Sequence, residues 1–184
     1  LFTFTDTMAE FKDEGSHAFP GGQTTIVSHV IDRAGNASQF DEVTVTMPVL
    51  PHTLLVVNST SAPGVTEHVV PIGFTSFQAF RGVQFSLTFD PSVLTVDSLS
   101  SAGRVPSAPF FVVSEDGKIS VVLVDLSGDP IPEGSGVVVN IYTSVSAQAV
   151  DQNMMLTISD VEGADEVGNP VDIVVRDGVL AIQR

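Results

Sequence analysis

The chain has 184 residues, no cysteine and 22 acidic side chains against 7 Lys and Arg, for a net charge of −15. The absent cysteines exclude disulfides, thiolate metal sites and thiol nucleophiles, and so acidic a surface repels phosphate backbones and anionic membranes, which disfavours nucleic acid as a partner. With 43% hydrophobic residues there is enough apolar material for a packed core.

Along the chain, Leu1–Thr7 alternates, with Phe2 and Phe4 on one side, and Gln23–Asp32 and Asp41–Met47 follow as further strand-like runs. Asp32-Arg-Ala-Gly-Asn36 between the last two predicts a turn, since Gly35-Asn36 tolerates positive φ and Asp32 caps backbone amides. A weaker alternative is that Asp32 and Asn36 hold calcium. Pro48 and Pro51 then interrupt any strand, which divides the chain into a first module, 1–48, and a second, 49–184.

The second module is a succession of short apolar runs: TLLVVN, HVVPIGF, GVQFSLTF, VLTVDSL, FFVVSE, KISVVLVDL, GVVVNIYTSV, MMLTISDV and VDIVV continuing into GVLAIQ. Gly-, Pro- and Asp-rich turns separate them, and the spacing predicts an all-β antiparallel sandwich of about nine strands. The one helical expectation is a turn or two at Ala147–Gln152. No run approaches the roughly 20 residues that span a bilayer, so no membrane insertion is expected. The opening LFTFTDTM has neither an initiator Met nor a basic leader and is taken as the start of a mature or excised fragment.

Gly82–Leu99, GVQFSLTFDPSVLTVDSL, has no His and no Cys but a regular pattern. Phe85, Leu87 and Phe89 fall on one face, Gln84, Ser86 and Thr88 on the other, and Asp90-Pro91 breaks the run into a second strand. The order Ala62-Pro63-Gly64, Val70-Pro71-Ile72, then Gly82 to Leu94, followed by Gly117-Lys-Ile-Ser120, Gly134–Val145 and Arg176–Ile182, resembles the cohesin domain, the receptor module of cellulosomes. The resemblance spans about Leu54 to Arg184 and implies a jelly-roll sandwich that binds a dockerin-like protein. It also implies a secreted or cell-surface protein of a bacterium or archaeon. Separately, Gly21–Met47 resembles the end of a bacterial Ig-like repeat. An Ig-like sandwich needs about seven strands, so that module is expected to be partial, completed by upstream sequence or by self-association through its open edge.

Chemistry is sparse. There is no Gly-x-Ser-x-Gly elbow, and His17, His29, His52 and His68 have no zinc spacing, so no enzyme is indicated. Asp160, Glu162, Asp165 and Glu166 crowd one predicted loop. Their hard oxygens suit a structural Ca²⁺, although the spacing is not that of an EF-hand, and a solvated acidic loop is the plainer reading. Asn36-Ala-Ser and Asn58-Ser-Thr are glycosylation sequons. In Lys118–Leu126 both faces are apolar: Ile119, Val121 and Leu123 on one, Val122, Val124 and Leu126 on the other. The resemblance places this strand beside Gly82–Phe89 on the partner-binding face, which makes Gln84, Ser86, Thr88, Val122, Val124 and Leu126 the expected partner contacts. Alternatively a loop such as Asp129–Gly136 covers the second face. A spacer or subunit of a surface layer, adhesin or filament is a further reading. So is a carbohydrate-binding module, which the lack of Trp and the single Tyr142 weaken.

Overall fold

The computed structural model describes residues 22–105, 110–114, 117–124 and 129–184. The chain divides into two compact units between Leu50 and Pro51. In the first, β1 (Gly22–Ser28) and β2 (Asp41–Met47) pair antiparallel, from Gly22 opposite Met47 to Ser28 opposite Asp41. The connecting turn forms as its sequence predicts. Asp32 Oδ1 accepts the amides of Ala34 and Asn36 at 2.8 and 2.9 Å, Asn36 Nδ2 donates to Asp32 Oδ2, and Gly35 takes φ of 90°. The leading run Leu1–Thr7 lies outside the described residues.

The second unit begins with β3 (His52–Val56), β4 (Ser59–Ser61), β5 (His68–Ser76), β6 (Phe80–Thr88) and β7 (Leu94–Ser101). There follow β8 (Phe110–Ser114), β9 (Lys118–Val124), β10 (Gly134–Val145), β11 (Gln152–Asp165), β12 (Pro170–Val171), β13 (Ile173–Arg176) and β14 (Gly178–Ile182). Five strands form one sheet in the order β13-β3-β5-β10-β7. Seven form the other, β4-β14-β11-β6-β9-β8, with β12 on the end of β11. All pairs are antiparallel except β13–β3 and β14–β4, where the last strands of the unit return beside its first. Among the described residues there is no helix, and so none long and apolar enough to cross a membrane. Ala147–Gln152, expected to be helical, instead holds a tight turn closed by the Ala149 amide on the Ser146 carbonyl, before β11 begins.

The strands exceed the nine expected because β4 and β12 are too short for a periodic signal and the last apolar run splits into β13 and β14. The alternation of Gly82–Phe89 faces as expected in its apolar half: Phe85, Leu87 and Phe89 are buried. They pack in one core with Ile72, Phe74, Ile119, Leu123, Ile141 and Leu156. At the corner, Asp90 Oδ1 accepts the Ser92 hydroxyl and amide at 2.6 and 2.9 Å, which holds its carboxyl below the usual carboxylate range. Gly117 closes the neighbouring turn at φ of 77°, with the Phe89 carbonyl where a Cβ would stand.

Arg104 staples one end of the sandwich. Its guanidinium donates to the Phe74 carbonyl at 2.8 Å, to Ser76 Oγ at 3.0 Å and to the Pro132 carbonyl, and lies over the Phe74 ring. Next to it, Ile131 and Phe80 exchange backbone hydrogen bonds, which ties the Asp129–Glu133 segment to the start of β6.

Every buried apolar residue among those described lies between Leu54 and Ile182. Residues 51–184 alone are therefore expected to give a single cooperative melt, and residues 1–50 none, because the described part of the first unit is a two-stranded sheet with no buried apolar residue, and such a sheet is marginal in water. Differential scanning calorimetry of the two pieces checks this; a cooperative monomeric transition in 1–50 contradicts it.

A pH dependence follows from two histidines. Burial lowers the pKa of both His52 and His68 from the ordinary 6.5. His52 Nδ1 accepts the Phe77 amide at 3.2 Å, which requires the unprotonated nitrogen. The unfolded chain thus takes up these protons first, and stability falls as pH drops below about 6.5. A second decline is expected below about 4, where the hydrogen-bonded carboxylates Asp32, Asp90, Asp160 and Asp165, all lowered, begin to protonate. Melting temperature against pH should show the first decline, and His52→Gln with His68→Gln should flatten it.

Candidate docking face and groove

The functional candidate is the outward face of the seven-stranded sheet, where register aligns residues of β8, β9, β6 and β11 in transverse rows. At one end Val124, Gly82, Ala164 and Pro170 of β12 stand in line. The next row is Phe110, Val122, Gln84 and Glu162, and the third runs through Ser120, Ser86 and Ser159. The fourth contains Lys118, Thr88 and Thr157. The face thus grades from apolar to polar along the strands.

Each expected contact can now be placed. Val122 is 37% exposed, Phe110 beside it is 51% exposed, and Gln84 and Thr88 are also open to solvent. Val124 is half-buried. Leu126 lies outside the described residues. The Asp129–Gly136 segment runs to Phe80 and leaves Val122 uncovered. Ser86 requires a correction: it faces outward in register but is only 4% exposed. Its hydroxyl meets Ser120 Oγ at 3.2 Å, beneath the Lys118–Asp160 ion pair of 2.7 Å. A β-bulge between Ser159 and Glu162, with Asp160 at φ of 50°, turns that carboxylate over the face. The ammonium of Lys118, with help from the Ser86 hydroxyl, lowers the Asp160 pKa.

The acidic segment is also corrected. Ser159–Asp165 is the end of the fourteen-residue strand β11 and not a loop, because on either side of the bulge it pairs across to β6. Alternation and the bulge disperse its carboxylates. Asp160 is paired to Lys118. Asp165 Oδ1 accepts the amides of Val167 and Asn169, and Asn169 Nδ2 donates to Oδ2, which lowers the Asp165 pKa. Among the described residues no three acidic or histidine side chains converge as a cation requires. Asp165-Glu-Val-Gly-Asn169 in fact repeats the bonding of Asp32-Arg-Ala-Gly-Asn36, donor for donor. The shared Asp-x-x-Gly-Asn spacing was visible in the sequence as two copies of one turn.

Sequence reasoning missed a groove of about 650 Å³ at the apolar end of the face. Gly82 and Ala164 form its floor, Val122 and Val124 one wall, Pro170 and Asp172 the other, with Glu162 at its mouth. The signal was there: two minimal side chains at outward positions of adjacent strands leave a trough in a pleated sheet. Elsewhere, Ser59 Oγ and His68 Nε2 lie 3.0 Å apart, but among the described residues no carboxylate orients the histidine as a hydrolytic triad needs. The pair ties β4 to β5.

A two-sheet sandwich that displays a graded outer face, with no converging catalytic groups among the described residues, defines a binding module. The chain belongs to the cohesin domain family, whose model matches residues 53–178. No curated protein matches the chain. Solved structures do. A cohesin–dockerin complex of Clostridium thermocellum, Coh-OlpA–Doc918, superposes with a TM-score of 0.67 at 19% identity, over 73% of this chain and 100% of that one. The sixth cohesin of Acetivibrio cellulolyticus scaffoldin B, in complex with a Cel5 dockerin, gives 0.65 at 20% identity, with 73% and 100% coverage. A non-cellulosomal cohesin from the archaeon Archaeoglobus fulgidus gives 0.62 at 20% identity, with 73% and 93% coverage.

Proposed function

We propose that this protein is a non-catalytic extracellular binding module that docks a dockerin-like protein on the outer face of its seven-stranded sheet. The observation that carries the reading is the exposed apolar pair Phe110 and Val122, in one row with Gln84 at the edge of the groove, where β9 carries Val122 outward and Ile119, Val121 and Leu123 into the core. Interfaces are built this way, with an apolar centre and a hydrogen-bonding rim. Family membership and the solved cohesin–dockerin complexes support a protein as the partner. The contacts of the reading are Gln84, Thr88, Val122 and Val124, with Phe110 added. Calorimetric titration with Doc918 and the Cel5 dockerin tests it directly. Saturable one-to-one binding to either is expected; flat titrations across a broader dockerin panel would reject the reading.

A second reading is a spacer in a surface assembly, for which the Archaeoglobus fulgidus protein shows only that the fold also occurs in a non-cellulosomal cohesin. The first unit fits either role. Its Ile26–Val43 pair lies on one face, with both side chains about half exposed, as in half of an Ig-like sandwich, and further strands would complete it. Light scattering of the full chain separates self-association from a monomer.

A further inference from the structure

We infer that the groove over Gly82 and Ala164 selects the partner: it receives one bulky apolar side chain, with a Lys or Arg beside it that pairs with Glu162. The inference rests on the docking face proposed above and names the chemistry that face takes.

The groove exists because two neighbouring outward positions carry almost no side chain, while Val124 and Val122 stand on one side and Pro170 on the other. Its volume lies within the roughly 300–1,000 Å³ of ligand sites, yet its walls include exposed residues, so a small molecule would remain largely wetted. An added strand is also unsuited. β6 is an interior strand whose backbone groups are taken by β9 and β11, leaving the floor no row of free donors to offer. What the groove can bury is a side chain presented from outside.

The charge argument concerns the mouth. Of the two cations nearby, Lys118 is engaged with Asp160, and Arg81 donates to the Glu166 carbonyl at 3.3 Å. Glu162 is exposed and makes no ion pair among the described residues, and Asp172 adds a second carboxylate to the lining. A partner cation is therefore attracted and a partner carboxylate repelled. The same acidity disfavours a second copy of this chain, since a two-fold face-to-face contact sets like charges near one another.

The test uses the ¹⁵N-labelled full chain and two lactam-bridged helical peptides. Both carry one leucine stripe, flanked in one by lysines and in the other by glutamates. The lysine peptide is expected to bind about tenfold more tightly at low salt, with the advantage shrinking as salt screens the pair. Amide shifts should centre on Gly82, Val124 and Ala164. Glu162→Gln should cut the preference about threefold, the scale of one solvent-exposed charge pair, and Ala164→Trp should fill the groove and abolish binding. Should Ala164→Trp fail to fold, Glu162→Gln still decides, because its side chain is exposed. Equal binding of both peptides, shifts on the other sheet, or an unchanged preference in Glu162→Gln overturns the inference, as does self-association that shifts the same amides without peptide. Lysine-peptide binding with no dockerin bound removes the dockerin reading and leaves the groove chemistry standing. Dockerin binding indifferent to both variants does the reverse.

Discussion

The Val122→Asp, Val124→Asp double variant is expected to stay folded and to lose dockerin binding by at least about a hundredfold, or roughly 2.7 kcal/mol. Both side chains belong to the outward half of β9, while Ile119, Val121 and Leu123 carry its inward half into the core. Val122 already gives more than a third of its surface to water, so its replacement removes little burial. Val124 is half-buried, and with the poor strand propensity of Asp the combined cost to folding is about 1–2 kcal/mol, a melting shift of no more than about 8 °C. Docking is another matter. Two carboxylates would be pressed into an apolar centre next to Glu162, and an unpaired charge buried at an interface costs several kcal/mol. Calorimetry gives both numbers. Loss of the cooperative melt would show that these valines are core, and unaltered binding would place the partner elsewhere.

That expectation was half readable in Lys118–Leu126. Two apolar faces on one strand demand a cover for the second, and the sequence contains candidates inside and outside the domain. Cross-strand register decides between them: β9 lies between β6 and β8, and the described portion of the following loop runs to Phe80 instead of over Val122. No local pattern encodes where a loop travels. The inward alternation of Phe85, Leu87 and Phe89, the Asp90-Pro91 corner and the Asp32–Asn36 turn were legible because each depends on near neighbours in sequence. The bulge at Asp160 was not. It arises from a mismatch between β11 and β6, more than seventy residues apart, and it converts Ser86 from a partner contact into the covered member of a polar cluster. For the same reason Ser159–Glu166 read as a loop. Its polar, glycine-containing composition is that of a turn, and only the long-range ladder makes most of it strand.

Phe80→Ala is expected to be the most damaging single truncation near the docking face. Phe80 is fully buried at the start of β6, edge-on to Phe74 at 5.1 Å and to His52 at 5.0 Å between ring centroids. Truncation of such a ring costs about 3–5 kcal/mol in transfer and cavity terms, a fall of roughly 10–15 °C in melting temperature for a chain of this size. The site has a second signature in Gly163. A Cβ there would lie 2.9 Å from Phe80 Cε1 and 2.6 Å from Ile173 Cδ1, so the ring occupies space that a side chain on β11 would need. Gly163→Ala alone should therefore destabilise the protein, while in the Phe80→Ala background the vacated volume admits part of the new methyl. The two changes should combine to less than their sum, with a coupling of about 1 kcal/mol as for other residues in direct contact. Strict additivity in a thermal or urea double-mutant cycle would mean that the Phe80 ring does not press on Gly163. Because Phe80 leads through Arg81 into Gly82 and Gln84, the single variant should also weaken dockerin binding at temperatures well below its melt, whereas a purely global loss of stability would leave affinity unchanged there.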